Sequence, residues 1–217
     1  MGCGRGLKSM SIRRLAGGLL GTNCYIVACE ETGEAMVIDP GLSEGECEEI
    51  LSEISAHHLR LKYIVNTHGH PDHTSCNSRL KEATAAEILI HEGDGHLLVG
   101  SSRLFQLVAV SPPADRLLHD GDTVKVGRFE LRVIHTPGHS SGSISLYCES
   151  EGVVFTGDTL FASGIGRTDL PGSSAEGIMR SLRDKLMKLP DQTIVYPGHG
   201  PETTIGEERR WNPFLHV

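Results

Sequence analysis

The 217-residue chain contains no apolar run of the roughly 18 residues that a membrane-spanning helix requires. The longest apolar stretch, Leu15 to Cys29, is interrupted by Gly17, Gly18, Gly21, Thr22 and Asn23, and reads as a core strand. Lys and Arg form no cluster, and 20 of them face 28 Asp and Glu, a net charge of −8. Nonspecific nucleic-acid binding, which depends on neutralising phosphates, is therefore disfavoured, and a small-molecule partner fits better. The six cysteines (Cys3, Cys24, Cys29, Cys47, Cys76 and Cys148) form no Cys-x-x-Cys pair, which excludes a zinc ribbon or a thioredoxin motif and leaves reduced thiols as the expectation. Cys76 reads as a small buried residue. The opening MGCGRGLKSM has no apolar segment of signal-peptide length, and Gly6 stands where myristoylation wants Ser or Thr. Cytoplasmic localisation is the default that follows.

No Pro/Gly/Ser-rich linker divides the chain, so one domain over 1–217 is expected, with 1–10 as a loose N-terminal extension. Hydrophobic residues at 38% and charged residues at 22% exclude a disordered polyelectrolyte. Strand-like and helix-like segments alternate, the pattern of an α/β protein. Strands are predicted at Cys24 to Cys29, Ala35 to Asp39, Leu61 to Thr67, Ala86 to His91 and Thr193 to Tyr196. Thr123 to Thr136 reads as a pair turning at Val126-Gly127, and Gly142 to Cys148 with Gly152 to Thr156 as another. A helix after Ser43 places Cys47, Ile50, Leu51 and Ile54 on one face, with Ser43 and Glu46 at capping-box spacing. A second helix is predicted over Ser174 to Leu189, with Ser173 and Glu176 as its box.

Histidine is abundant, at 12 residues, and clusters where strands stop. Thr67-His68-Gly69-His70-Pro71-Asp72-His73 follows an apolar strand directly. In extended chain, residues i and i+2 point the same way, so His68 and His70 can meet one cation. Pro71 suits the first turn of a helix, which carries Asp72 and His73 toward a second position. Three later strand-turn segments each supply one more ligand type: His139 in TPGHS, Asp158 in FTGDTLF and His199 in YPGHG. Seven imidazole and carboxylate groups from four strand ends suffice for two metals sharing a carboxylate, as zinc, iron or manganese accept.

With these motifs in this order, the chain resembles the metallo-β-lactamase-fold hydrolases, and among them the glyoxalase II (hydroxyacylglutathione hydrolase) group. The resemblance runs from about Leu15 to the end. It implies a four-layer αββα sandwich with mixed sheets and the site at one edge. It also implies that His68, His70 and His139 hold the first metal, Asp72, His73 and His199 the second, and that Asp158 bridges them. Asp39-Pro40-Gly41 matches a family turn near the site. The implied activity is hydrolysis of a thioester such as a hydroxyacylglutathione by a metal-bridging hydroxide, with zinc the first choice of metal. Asp72 and Asp158 are then the catalytic carboxylates, Asp72 orienting the hydroxide.

Two departures stand out. Ser75 and Cys76 occupy the place of the family's Gly-Gly, and the chain stops at Val217, like the short single-domain members. Arg167, in Gly164-Ile165-Gly166-Arg167-Thr168-Asp169, is expected near the site mouth, where it either binds a substrate carboxylate or pairs with Asp169. The persulfide dioxygenases resemble the chain through the same segment and would use one iron on His68, His139 and Asp158. A lactonase or other ester hydrolase of this fold is the further alternative.

Overall fold

The computed structural model describes residues 10–41, 43–99, 103–104, 107–108 and 111–216. The expected loose extension falls on 1–9, outside the described residues, except that Met10 already begins the first strand.

Strand β2 (Thr22–Cys29) is buried along its whole length, yet its side chains serve two cores. Tyr25, Val27 and Cys29 join one apolar cluster, while Cys24 and Ile26 join another. The two-residue period of a strand requires this when both faces of its sheet are covered. The first sheet runs β1 (Met10–Gly17), β2, β3 (Glu34–Ile38), β4 (Arg60–Asn66), β5 (Glu87–His91) and β8 (Arg116–Leu118). Two short strands, β6 (Arg103–Leu104) and β7 (Leu107–Val108), pair with each other, as do β13 (Leu160–Phe161) and β14 (Gly164–Ile165). From β3 onward the ladder is parallel; before it, antiparallel.

The second sheet is ordered β16 (Thr203–Thr204), β15 (Ile194–Pro197), β12 (Val153–Gly157), β11 (Ile144–Cys148), β10 (Phe129–His135) and β9 (Thr123–Val126). Only β12 and β15 are parallel in it, so both sheets are mixed. Between them lies an inter-sheet core that includes Met36, Val65, Leu89, Leu131, Leu146 and Phe155. Outside the first sheet, α1 (Glu44–Ala56) and α3 (Asn77–Thr84) cover it with Cys47, Ile50, Ile54 and Leu80. Outside the second, α5 (Ala175–Asp184) packs Ile178 and Leu182 onto Ile134, Tyr147 and Val154. Four layers result, an αββα sandwich.

The apolar stretch from Leu15 to Cys29 is two strands joined by a turn rather than one, because Gly18 and Gly21 take left-handed backbone there. The helix predicted over Ser174 to Leu189 stops at Asp184 and continues as a 3-10 turn, Leu186–Lys188. Pro190 disfavours helix in the residue before it, and the 3-10 turn still delivers Leu186 and Leu189 to the core. Its cap is Ser174, whose Oγ accepts from Gly177 N at 3.0 Å, while Ser173 Oγ donates instead to the Leu170 carbonyl. At α1 the Ser43 amide donates to Glu46 as the sequence predicts.

The expectation of reduced thiols is corrected by a Cys47–Cys76 disulfide, which ties α1 to the segment just after the His-rich turn. Cys76 is thus buried as expected but not a free small residue. Both positions face the same helix-layer core, which is why the sulfurs meet. Cys24, Cys29 and Cys148 are free and buried; Cys3 lies outside the described residues. Among the described residues no helix is long and apolar enough to cross a membrane.

Candidate metal centre

The carboxyl ends of parallel strands β3 and β4 in one sheet, and β12 and β15 in the other, open at the same edge of the sandwich. Open α/β sheets bind ligands at such strand ends. Beyond β4 come Thr67 and His68; then Pro71 occupies the first position of the short helix α2 (Pro71–Thr74), which carries Asp72 and His73. Beyond β12 comes Asp158, beyond β15 His199, and the turn after β10 brings His139. Hydrogen bonds from Ile144 N to Thr67 O (2.9 Å) and from Asn23 N to Gly198 O (2.7 Å) fasten one sheet's edge to the other's.

All seven residues named from the sequence converge. His68, His70 and His139 form one group of mutually close ligand atoms, and Asp72, His73 and His199 form a second. Asp158 lies between: its carboxylate is 3.3 Å from His73 Nε2, 3.5 Å from His139 Nε2 and 3.5 Å from His199 Nε2. Asp72 lies 3.4 Å from His199 Nε2 and 3.5 Å from His73 Nε2.

The hydrogen bonds on the outer side of the rings decide what the inner nitrogens offer. His139 Nδ1 sits 3.0 Å from the Arg167 carbonyl and His199 Nδ1 sits 3.2 Å from the Leu20 carbonyl. A carbonyl only accepts, so each Nδ1 carries a proton and Nε2 is the nitrogen left to offer a lone pair inward once it is unprotonated. Thr67 Oγ1 spends its proton on Asp39 Oδ2 (2.6 Å) and so accepts from His68 Nδ1 at 3.1 Å. His68 Nε2 is consequently a lone pair too, and it is buried with no hydrogen-bond partner, as is Asp158 Oδ1. His139 Nε2 approaches His70 Nδ1 to 2.9 Å. Converging lone pairs and an orphaned carboxylate oxygen, all buried, are what a divalent cation satisfies, and nitrogen and oxygen donors suit zinc or iron. The donor set fits a metal centre.

The electrostatics divide the same way when no cation is present. Burial pushes His68 well below the ordinary imidazole range, and burial together with nearby His139 pushes His70 down to about 4. Burial opposes a charge on His73 as well, but Asp158, Asp72 and Asp39 outweigh it and hold His73 well above that range. His199 is raised to about 9, its hydrogen bonds to Asp158 and Asp72 overcoming burial. Asp158 stays ionised despite its burial because His73 and His199 face it.

Asp39 is a site residue that sequence reasoning recognised only as part of a turn. Its carboxylate accepts from Thr67 N (2.7 Å) and Thr67 Oγ1, and it lies 3.0 Å from His73 Nδ1. It thereby orients one histidine from each group. Its backbone is left-handed (φ 51°), a conformation worth about 1 kcal/mol or more of strain that such a network sustains. Gly41, two residues on, has no alternative: a Cβ there would lie 1.4 Å from the Asp72 carbonyl oxygen. The available signal was an Asp-Pro-Gly sequence at a strand end.

Arg167 touches the site through its backbone, while its guanidinium makes two 2.7 Å bonds to the Asp169 carboxylate. Of its two expected readings, the pair with Asp169 is the one the structure contains. His135 stacks on buried His91 (centroids 4.1 Å apart) with Nε2 2.9 Å from the Ser141 carbonyl.

The model of the metallo-beta-lactamase superfamily matches residues 17–199. The chain belongs to that superfamily. Among curated relatives, the hydroxyacylglutathione hydrolase GloC of Haemophilus influenzae is 38% identical over 201 residues, covering 89% of this chain and 92% of its own. A probable metallo-hydrolase, YqgX of Bacillus subtilis, is 35% identical and covers 95% of this chain and 98% of its own. Among solved structures, the BLEG-1 B3 metallo-beta-lactamase superposes with a TM-score of 0.88 at 36% identity, over 95% of this chain and 100% of that one. TTHA1623 in a di-iron-bound form gives 0.81 at 34%, over 94% and 100%. ETHE1 from Myxococcus xanthus gives 0.79 at 34%, over 94% and 84%. The metallo-beta-lactamase fold is the common ground of these proteins and this chain, and the His and Asp groups of this chain could hold a divalent metal within it.

Proposed function

We propose that this metallo-beta-lactamase-fold protein is a metal-dependent thioester hydrolase acting on a substrate of the hydroxyacylglutathione kind. In this reading His68, His70 and His139 would hold a first divalent metal, Asp72, His73 and His199 would hold a second, and Asp158 would serve both. The observation that carries it is the pairing of two three-residue groups about one buried carboxylate. A single-metal site would leave Asp72, His73 and His199 without work. Zinc is the first choice for these nitrogen and oxygen donors, and likeness to a di-iron structure makes iron the next.

Two bound cations would supply a water acidified toward neutrality and a Lewis acid for the scissile carbonyl. The chain's own residues do the rest. Asp39 holds His73 and, through Thr67, His68 in fixed orientation. The carbonyls of Arg167 and Leu20 fix the tautomers of His139 and His199. Asp72, 3.4 Å from His199 Nε2, would orient the attacking water. A thioester suits such a centre because the departing thiolate, with a pKa near about 8.5, needs no strong general acid. Likeness to GloC, a hydroxyacylglutathione hydrolase, supports the substrate class. Arg167 is the candidate for a substrate carboxylate, which would exchange with Asp169.

A second reading, oxidation of a persulfide at one iron on His68, His139 and Asp158, draws on the Gly166-Arg167-Thr168-Asp169 segment lying against His139. The test is cleavage of lactoyl-glutathione by the metal-loaded protein with a chelated control, run beside a persulfide with an oxygen electrode and beside a simple lactone and a β-lactam. Rapid, chelator-sensitive loss of thioester is the expected outcome. No cleavage above background, with oxygen uptake on the persulfide, overturns the proposal in favour of the second reading.

A further inference from the structure

Two buried carboxylates, Asp94 and Glu208, are left over among the described residues once the site is accounted for, and Asp94 is the one bonded to the site's turns. Asp94, in the turn between β5 and the short helix α4 (Gly95–Val99), is fully buried. Among the described residues its oxygens form no ion pair. Oδ2 accepts from Gly69 N at 2.9 Å, and Oδ1 accepts from Gly142 N at 2.6 Å and, more distantly, from Ser141 Oγ at 3.4 Å. Gly69 lies between His68 and His70, and Gly142 lies three residues after His139. One side chain thus clamps the two turns that carry the first histidine group.

Burying a carboxylate is costly unless strong donors satisfy it, and charge-assisted bonds to backbone N–H are of that kind. The contacts are also close: a Cβ on Gly142 would lie 2.7 Å from both Asp94 Cβ and Cγ. His139 and the His68–His70 turn come from different sheets and share only a few cross-links, the Ile144–Thr67 bond among them. A carboxylate is needed rather than an amide, because both oxygens must accept.

We propose that Asp94 is a positioning residue that locks the His68–Gly69–His70 turn against the His139 turn and so sets the first metal subsite before a metal arrives. The inference rests on the metal-centre reading and deepens it. The test is Asp94→Asn, which offers one acceptor and turns an NH2 toward either Gly69 N–H or Gly142 N–H. Two readouts are taken: zinc stoichiometry and affinity by chelator competition, and amide exchange of Gly69 and Gly142 in metal-free protein.

In Asp94→Asn, affinity for one zinc is expected to fall roughly 10–100-fold, the range for groups that orient ligands, while the other is retained. In the metal-free wild type both amides are expected to exchange slowly, and at least one is expected to exchange fast in the variant. Wild-type affinity for both zincs, or equal weakening of both with a lowered melting temperature, overturns the inference, the latter marking a merely structural role. Should the variant fail to fold, the wild type decides: fast exchange of Gly69 and Gly142 in the metal-free protein refutes the lock, and slow exchange supports it. A wild type that binds no zinc or iron instead sinks the metal-centre reading itself, and this inference with it.

Discussion

The Cys47–Cys76 disulfide should be a substantial part of this protein's stability. It closes a loop with a sequence separation of 29 residues, spanning α1, β4 and the whole His-rich turn. Loop-closure entropy for a ring of that size amounts to about 3.6 kcal/mol at room temperature. Replacing both cysteines by alanine removes the cross-link while Ile50, Ile54 and Leu80 keep the helix layer on the sheet. For a domain of this size, with a urea m-value of roughly 3 kcal/mol/M, the midpoint should fall by about 1 M. The assay is urea unfolding of metal-free protein with and without a phosphine reductant, each sample checked by thiol titration. Wild type plus reductant should match the double variant, and the variant should ignore the reductant. An unchanged wild-type midpoint after Cys47 and Cys76 have been shown to be reduced would refute the reasoning. So would titration of both as free thiols in protein purified without reductant. Because the sulfurs are buried, reduction under native conditions should wait on local opening and be slow.

His70→Ala or Asp158→Ala should lower thioester turnover by more than the roughly 100-fold that losing a ligand-orienting group costs, with a near-native circular dichroism spectrum; near-normal turnover would sink the site assignment. Metal binding should depend on pH at one subsite only. His73, held well above the usual range, and His199, raised to about 9, hold protons near neutrality in metal-free protein, so a cation on the Asp72, His73 and His199 group must displace them, and its affinity should rise as pH rises from neutrality. His68 and His70 (lowered to about 4) are already unprotonated there, so the first group should show a flat profile; cobalt titrations between about pH 6 and pH 9 would expose the opposite pattern. Phe155→Ala should cost about 3–5 kcal/mol in chemical unfolding, because Phe155 is fully buried against the rings of Tyr25 and Tyr196; a loss under 1 kcal/mol, on the order of a conservative swap, would contradict that packing.

Much of the architecture was legible because each strand betrays its environment. The buried run of β2 and the alternation in β10 mark a strand covered on both faces and one with an exposed face. The helix ends were less legible. The i, i+3, i+4 spacing of Leu182, Leu186 and Leu189 is satisfied by a helix followed by a 3-10 turn as well as by one long helix, so periodicity alone misplaced the stop. The disulfide was illegible for a different reason. Nothing in the spacing of Cys47 and Cys76 says that α1 and α3 lie side by side, and without that a pair of scattered cysteines reads as two thiols.

The same distinction explains the site. Residues that offer lone pairs to a cation must be His, Asp or Glu, and turns that aim them want Gly or Pro, so chemistry of this kind writes itself into short motifs. The groups that orient those residues are under no such rule. His139 and His199 are aimed by the carbonyls of Arg167 and Leu20, which any residue could supply, and they lie 28 and 179 positions away. Asp39 and Asp94 are carboxylates, but they act on backbone amides and on rings whose ligand atoms face away from them, so neither stands in a ligand motif. The sequence therefore names the donors that converge, while their rigidity depends on long-range contacts that only the folded chain brings together. A substitution at Asp39 or Asp94 should for that reason weaken metal binding by roughly 10–100-fold, although neither residue is counted among the donors.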